Sequence, residues 1–472
     1  MKDYRIEHDS IGEKKVPGDA YYGVQSLRGN ENFPITGQHL HPAMIRALAT
    51  VKKACAIANA RAGILDENVK DAIIKAADEI LTGKFHDAFL TDPIQGGAGT
   101  TANMNANEVI ANRANEILGG ALGAYDHVHP NDHVNMGQST NDVYPTAGKL
   151  GGLMLLPALE EALDLLRQAF LKKSEELDHV IKMGRTQLQD AVPIRLGQEF
   201  KAYASALARD ERRIGEAKKS IEVINMGGSA IGTGINVDLN YFEHIAGDLA
   251  ELTGIPFRQA DDLVDGTQHI DCLVEVSGAL RALAVDLSKI SNDLRLMTSG
   301  PRTMIGDINL PARQNGSSIM PGKVNPVIPE VVSQVAYRVM GNDLTISLCA
   351  EGGQMELNAF EPVAFYSLYE SITTLTHAME TLRTNCVEGI TANEEKLKGD
   401  IEHSVGIVTA LVPHIGYEHS ASIAKKALAT GKSVRALILE EKLLTEEELS
   451  EILDPWAMTK PGIAAKHLLK EK

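Results

Sequence analysis

The feature that most constrains the fold is a long run of apolar residues spaced alternately three and four positions apart. Its members are Leu273, Val276, Leu280, Leu283, Leu287, Ile290, Leu294 and Met297. This spacing places them on one face of an α-helix, and at the helical rise the run covers about 36 Å. Because such a helix must bury its apolar stripe against other helices, the sequence predicts a helix bundle.

Similar apolar spacing recurs in four further segments. They cover residues 159–170, 196–224, 329–348 and 365–382. Pro157 is expected to kink or start the helix of the first segment. The second is interrupted at Asp210 and continues through Ile221 and Ile224. No alternation of strands and helices accompanies these segments, so we expect an all-α fold without a parallel sheet.

Composition and charge exclude several functional classes. The chain has 472 residues, which by length alone suggests about three domains, and its net charge of −17 argues against nucleic-acid and anionic-membrane partners. The first residues, MKDYRIEHDS, lack the apolar core of a signal peptide, and no apolar run reaches the length of a membrane span. The four cysteines form no CxxC pair, which favours reduced thiols. We therefore expect a cytoplasmic protein.

The segment GSSIMPGKVNPVIPE, residues 316–330, has the chemistry of an anion site. Its glycines let backbone N–H groups approach a ligand closely, and Lys323 adds a positive charge. Asn325 followed by Pro326 fits an N-cap with proline at the first helical position, where the helix terminus favours anions. The segment is also expected to act as a lid that closes over a ligand.

This segment does not match a nucleotide-binding phosphate loop. One residue too many precedes its second glycine, and Val324 stands where a serine or threonine would bind magnesium. The alternative that the residues leave open is an ordinary Ser/Gly turn before a helix.

Four other loops are rich in hydroxyl, amide or glycine residues. They cover residues 96–101, 138–142, 184–187 and 227–234. Each one alone is typical of a helix cap or turn. Together with the 316–330 segment they could surround one dicarboxylate if the bundle brings them together.

Three histidines, His127, His129 and His133, raise the alternative of a metal site. His129 and His133 are four residues apart, a spacing that suits a metal when both lie on one helix. However, Pro130 and Asn131 favour a turn. We therefore assign no metal ligand, and the role of the three histidines stays open.

The loops resemble those of the fumarase/aspartase superfamily over nearly the whole chain. The resemblance lies in GSSIMPGKVNP, VPGDAYYGVQ, GGAGTTANMNANEV, MGRTQLQDAVP and NPVIPEVVSQV. It implies an all-α subunit of three domains: 1–138, a central bundle of long helices at 139–396, and a small helical domain at 397–472. It also implies a homotetramer with a multi-helix core, in which each active site is shared between subunits.

Within the superfamily, these motifs are more similar to those of the aspartases than to those of the fumarases. Gln187 stands where fumarases typically carry histidine. The resemblance therefore implies reversible deamination of L-aspartate to fumarate and ammonia, without an organic cofactor; activation by a divalent cation stays open. Class II fumarate hydratase and a non-catalytic helical scaffold of the same fold are the alternatives.

The resemblance also implies roles for individual residues. Ser317 matches the general base, which removes a proton from the carbon next to the β-carboxylate. Residues that match the cradle of the β-carboxylate are Thr100, Ser139, Thr140 and Ser318. Residues that match the α-carboxylate site are Lys323 and Asn325. Residues that match the surroundings of the amino group are Asn141, Thr186 and Gln187.

Overall fold

The computed structural model describes residues 4–469, and most of them are helical. The α-helices are α1 (Val24–Asn32), α2 (Pro42–Arg61), α3 (Glu67–Leu81), α4 (Thr100–Ile117), α5 (Thr140–Glu176), α6 (Leu196–Ala217), α7 (Leu239–Thr253), α8 (Leu263–Gln268), α9 (Asp271–Met297), α10 (Val327–Glu351), α11 (Glu361–Asn385), α12 (Glu394–His403), α13 (Val412–Ile415), α14 (Tyr417–Thr430), α15 (Val434–Glu440) and α16 (Glu446–Ile452). The predicted all-α class is confirmed. None of the helices within the described range combines the length and apolar character that a membrane span requires.

Short strands, which the sequence patterns did not predict, accompany the helices. They are β1 (Tyr4–Asp9), β2 (Gly12–Pro17), β3 (Ile181–Thr186), β4 (Gln189–Arg195), β5 (Val223–Ile224), β6 (Arg258–Gln259), β7 (Ile308–Asn309) and β8 (Thr391–Ala392). They pair as β1–β2, β3–β4, β5–β6 and β7–β8, and only the β5–β6 pair is parallel among the described residues. Such short strands leave too few residues for a period of two to be recognisable.

The five apolar segments lie on long helices, with two corrections. The residues of the first run are all buried along α9. Pro157 does not start its helix, since it lies inside α5. The segment that begins at residue 196 stays helical through Asp210 but ends at Ala217; Ile221 lies in a 3-10 turn and Ile224 in β5. Ile224 is buried and β5 pairs with β6, so tertiary pairing overrides the helical period there.

The described residues form two compact units. The first comprises residues 4–161, 210–285 and 335–376, and the second comprises 162–209, 286–334 and 377–469. The division into domains 1–138, 139–396 and 397–472 stays a prediction, and its first and last three residues lie outside the described range.

Glycines on α5 bring it close to α11 in the first unit. A Cβ atom built on Gly148 would lie 2.2 Å from the ring of Phe365, so only glycine fits there. The hydroxyl of Tyr369 donates a hydrogen bond to the carbonyl of Gly148 at 2.7 Å. This contact fixes the part of α5 that follows its first turns.

The second unit has its own apolar core in the C-terminal part of the chain. Leu411, Ile423, Ile438 and Leu449 are buried there against Met183 of β3. The β3–β4 hairpin therefore packs against this apolar core through Met183.

Candidate functional site

Two helix starts in the first unit share one cavity. Thr100 begins α4 and Thr140 begins α5, and both line a cavity of about 480 Å³ together with Ser139. Helix N-termini present free N–H groups and partial positive charge. The hydroxyl group of Thr100 donates to the carbonyl of Gly97 at 2.7 Å, so Ser139 and Thr140 supply the side-chain donors that the two helix starts offer to a carboxylate.

The first turn of α5 is held by its own side chains. Ser139 is the N-cap residue, since its hydroxyl oxygen accepts the N–H of Asn141 at 3.2 Å. The carboxylate of Asp142 accepts N–H groups from Ser139, Gly227 and Ser229 at 2.9, 3.2 and 3.0 Å. Asp142 is fully buried, and burial raises its pKa to about 6. The glycine-rich segment 227–234 is thereby fastened to the start of α5.

Asn141 faces the same segment. Its side-chain amide donates to the carbonyl of Ala230 at 2.6 Å, and its own carbonyl accepts from the side chain of Asn225 at 2.9 Å. Three of the predicted substrate residues, Thr100, Ser139 and Thr140, thus line one cavity, and Asn141 lies beside them.

A buried amide network lies behind this cavity. Asn103 donates a hydrogen bond to the hydroxyl oxygen of Thr140 at 3.1 Å and another to Asn135 at 3.2 Å. Lys52 donates to the side-chain oxygens of Asn135 and Gln138 at 2.9 and 2.8 Å. Neither Lys52 nor Asn103 is among the site residues that the sequence predicts. Lys52 lies among buried, mostly apolar residues of α2. No local sequence pattern links it to Asn135 and Gln138, which lie more than 80 positions later in the chain.

Two of the residues predicted to surround the amino group, Thr186 and Gln187, lie on a tight hairpin of the second unit. Thr186 ends β3, and Gln187 and Leu188 form the two-residue turn to β4. Both turn residues have positive φ, 54° and 62°. Such turns favour asparagine and glycine, so Gln187 is held in a conformation that costs about 1–3 kcal/mol. Backbone strain of this kind is common at ligand sites.

Buried charged side chains that the sequence patterns do not predict hold this hairpin in place. Asp307 is fully buried and binds Lys182 at 2.8 Å and Arg185 at 2.7 Å. Lys182 also contacts Glu199 of α6 at 3.1 Å. Burial raises the pKa of Glu199. Arg185 directly precedes Thr186, so the cluster fixes the strand that carries it.

The remaining predicted site residues lie on the 316–330 segment, also in the second unit; they are Ser317, Ser318, Lys323 and Asn325. The hydroxyl oxygen of Ser317 accepts the backbone N–H groups of Ile319 and Met320 at 3.2 and 2.9 Å. Gly316 and Lys323 close the loop through a backbone hydrogen bond of 2.8 Å. The loop thus aims two donors at the oxygen that the resemblance assigns as the base.

Asn325 closes the same loop instead of capping α10, which corrects the sequence prediction. Its amide donates to the carbonyl of Gly316 at 2.8 Å, and α10 begins only at Val327, so Pro326 precedes the helix. Proline restricts Asn325 to an extended conformation, and its side chain is then free to turn back to Gly316.

The surface of this loop is open. Ser318 and Lys323 are exposed, and the side chain of Ile319 is 83% exposed. Met320 and Val324 are 49% and 53% exposed, so three neighbouring apolar side chains of this loop face solvent.

Two of the three histidines, His129 and His133, accept hydrogen bonds within their own loop. The ring of His129 accepts N–H groups from Asn131 and Asp132 at 3.3 and 3.2 Å, and His133 accepts the N–H of His129 at 2.8 Å. Residues Pro130–Val134 form a single π-helical turn. Among residues 4–469 no group of three or more His, Cys, Asp or Glu side chains is arranged to hold a metal. The assignment of no metal ligand stays a prediction.

Two family models match the chain. One, described as "Lyase", matches residues 12–341, and the other, described as "Fumarase C C-terminus", matches residues 407–460.

Individual relatives match nearly the whole chain. An aspartate ammonia-lyase from a Bacillus species is 55% identical, covering 98% of this chain and 99% of that protein. The structure of a fumarate lyase:delta crystallin from Brucella melitensis, bound to cobalt, is 50% identical with a TM-score of 0.95, covering 97% of this chain and all of that one. A class II fumarase from Schistosoma mansoni has a TM-score of 0.94 but is only 35% identical, with the same coverage. The class II fumarase shares the fold, so the fold alone does not distinguish a fumarase from an aspartate ammonia-lyase. In sequence this chain is more similar to the aspartate ammonia-lyase, at 55% identity, than to the fumarase, at 35%.

Proposed function

This chain belongs to the fumarase/aspartase superfamily of lyases, and on that premise we propose that it catalyses the reversible deamination of L-aspartate to fumarate and ammonia. Relatives of this identity and coverage make the protein an enzyme, a carbon–nitrogen lyase. Gln187, at the position where fumarases typically have histidine, supports ammonia rather than water as the second product.

Ser317 carries the mechanistic part of the proposal. A serine holds its proton tightly and must become an oxyanion before it can act as a base. The N–H groups of Ile319 and Met320 already point at its oxygen, and Lys323 follows in the same loop. Donors that are aimed in advance stabilise an oxyanion without any reorganisation during the reaction.

The reaction then proceeds in two steps. Ser317 takes a proton from the β-carbon of aspartate, and the electron pair moves into the β-carboxylate to give a doubly charged aci-carboxylate. That pair next forms the carbon–carbon double bond, the bond from the α-carbon to the protonated amino group breaks with its electrons on nitrogen, and neutral ammonia leaves with fumarate. Ser317 then loses the abstracted proton to water, which restores its oxyanion. The intermediate carries one charge more than the substrate carboxylate, so its site needs several strong donors.

The cavity of the first unit offers such donors. Thr100, Ser139 and Thr140 line it, and we assign them, together with Ser318, to the β-carboxylate. We assign Lys323 and Asn325 to the α-carboxylate. The amino group is assigned to Asn141, Thr186 and Gln187. In a homotetramer these segments would come from different subunits and meet in one site, over which the 316–330 segment closes.

The remaining assignments follow the same premise. We propose a cytoplasmic homotetramer that acts on a small dicarboxylate, requires no organic cofactor, and binds neither nucleic acid nor membrane. Titration with magnesium in the activity assay, after chelation, tests whether a divalent cation activates it.

Fumarate hydration is the reaction to be separated from this one. The purified protein is incubated with fumarate, with and without ammonium, and aspartate and malate are assayed. Aspartate formed only with ammonium supports the proposal. Malate formed at a comparable rate in either case would replace it with fumarate hydratase, and a folded tetramer that makes neither would indicate a non-catalytic scaffold.

A further inference from the structure

Lys52 is a lysine with no exposed surface, on the helix α2. Its ammonium group donates hydrogen bonds to Asn135 Oδ1 at 2.9 Å and to Gln138 Oε1 at 2.8 Å. The next residue, Lys53, faces the surface and pairs with Asp78 at 2.6 Å. Burial of a lysine is costly, so the fold retains Lys52 inside for a reason that Lys53 does not share.

The two partners of Lys52 bracket the segment that enters α5. Asn135 Oδ1 also accepts N–H groups from Asn103 and Asn107 at 3.2 and 3.1 Å. Gln138 lies directly before Ser139 and Thr140, which line the cavity. Lys52 therefore holds both ends of residues 135–138 and, with them, the approach to the carboxylate cradle.

The same network orients the hydroxyl group of Thr140. The side-chain amide of Asn103 donates hydrogen bonds to Asn135 and, at 3.1 Å, to the hydroxyl oxygen of Thr140. Since that oxygen already accepts a hydrogen bond, the O–H of Thr140 is directed to another acceptor. In the cavity, a substrate carboxylate is the fitting acceptor.

Among residues 4–469, no carboxylate contacts the ammonium group of Lys52. Both side chains that its ammonium group contacts are neutral amides. The titratable groups that interact electrostatically with Lys52 are Cys55 of α2 and Asp142 of α5. Cys55 is hydrogen-bonded to Tyr241 of α7, and the carboxylate of Asp142 accepts three backbone N–H groups. Burial lowers the pKa of Lys52 to about 7 and raises that of Cys55 to about 12. A dianion in the adjacent cavity would favour the charged form of Lys52.

We propose that Lys52 is a positioning residue that holds residues 135–140 from the buried side of the cavity and takes up a proton when a dicarboxylate binds. This inference rests on the proposed function for the dicarboxylate whose binding drives the proton uptake, but not for the ordering of the segment. Lys52 touches no substrate and acts through Asn135, Gln138 and its charge.

Calorimetric binding of succinate, an unreactive dicarboxylate, to the full-length protein tests the charge. Proton uptake is read from the dependence of the enthalpy on the buffer. At about pH 8, where Lys52 is mostly neutral, wild type and the control Lys53→Met should take up protons, and Lys52→Met should not. If succinate raises the pKa of Lys52 by about one unit, Lys52→Met binds about tenfold more weakly at about pH 6. Equal affinity and equal uptake in Lys52→Met would overturn the inference.

Hydrogen exchange of the unliganded proteins tests the positioning. Residues 135–142 should exchange faster in Lys52→Met than in wild type or Lys53→Met. Unchanged exchange would overturn that part. If Lys52→Met does not fold, proton uptake by the wild type decides, and its absence contradicts the proposal.

The two proposals fail separately. A protein that binds succinate with proton uptake but does not deaminate aspartate refutes the proposed function alone. One that deaminates aspartate while Lys52→Met behaves as wild type refutes the role of Lys52 alone.

Discussion

The hydroxyl oxygen of Ser317 lies 2.9 Å from the backbone nitrogen of Met320 and accepts its N–H. Ile319 donates to the same oxygen at 3.2 Å. An ordinary turn serine often accepts local N–H groups in this way, so the bond alone does not identify a base. Its significance comes from Lys323 in the same loop and from family membership, which together make an oxyanion at Ser317 chemically useful.

Replacement of the proposed base should abolish turnover and spare binding. Ser317→Ala is expected to lower kcat by about two to four orders of magnitude, because general base catalysis contributes that much. Succinate affinity and the thermal melting temperature should stay close to wild type. The control is Ser205→Ala on the exposed face of α6, which should have normal kinetics. Turnover close to normal in a folded Ser317→Ala protein would exclude this serine.

Loss of the loop cation should weaken substrate binding. Lys323→Met removes the charge that we assign to the α-carboxylate, so KM for aspartate should rise about ten- to a hundredfold, the range of a charge-assisted contact. Lys425→Met, at an exposed position of α14, is the control and should leave KM unchanged. Steady-state kinetics distinguish the two, and an unaltered KM in Lys323→Met contradicts the assignment.

The buried charge cluster should matter for both stability and activity. Asp307→Asn leaves Lys182 and Arg185 without their shared carboxylate, and breaking a buried ion pair costs about 3–5 kcal/mol. The hairpin that carries Thr186 should loosen, so kcat/KM should fall as well. Denaturant unfolding and kinetics are compared with Asp261→Asn, an exposed aspartate. If both variants are equally stable and active, the cluster does not position the hairpin.

Close packing of α5 and α11 predicts a sharp difference between two glycine substitutions. Gly148→Ala would place a methyl group 2.2 Å from the ring of Phe365, and overpacking of this kind costs about 1–3 kcal/mol. Gly215→Ala in α6 meets no atom within 4 Å and should stabilise the protein by about 0.4–1 kcal/mol. Thermal melts of both variants provide the measurement. Equal melting temperatures would mean that the two helices separate without cost.

Local sequence patterns were enough to predict the long helices and the chemistry of the 316–330 segment. Apolar spacing of three and four residues is a local property of the chain, so α9 and its companions could be recognised before any packing was known. The 316–330 segment likewise carries its glycines, serines and lysine within a few positions.

Features that depend on residues far apart in the chain could be established only from the folded protein. Ile224 follows a helical period yet pairs in β5, and Asn325 turns to Gly316 instead of capping a helix. Lys52 reads as a helix residue like Lys53, and only folding places it against Asn135 and Gln138. A side chain's burial, partners and protonation depend on groups far away in the chain, because electrostatic and packing energies follow distances in space. Local sequence patterns record only neighbours along the chain.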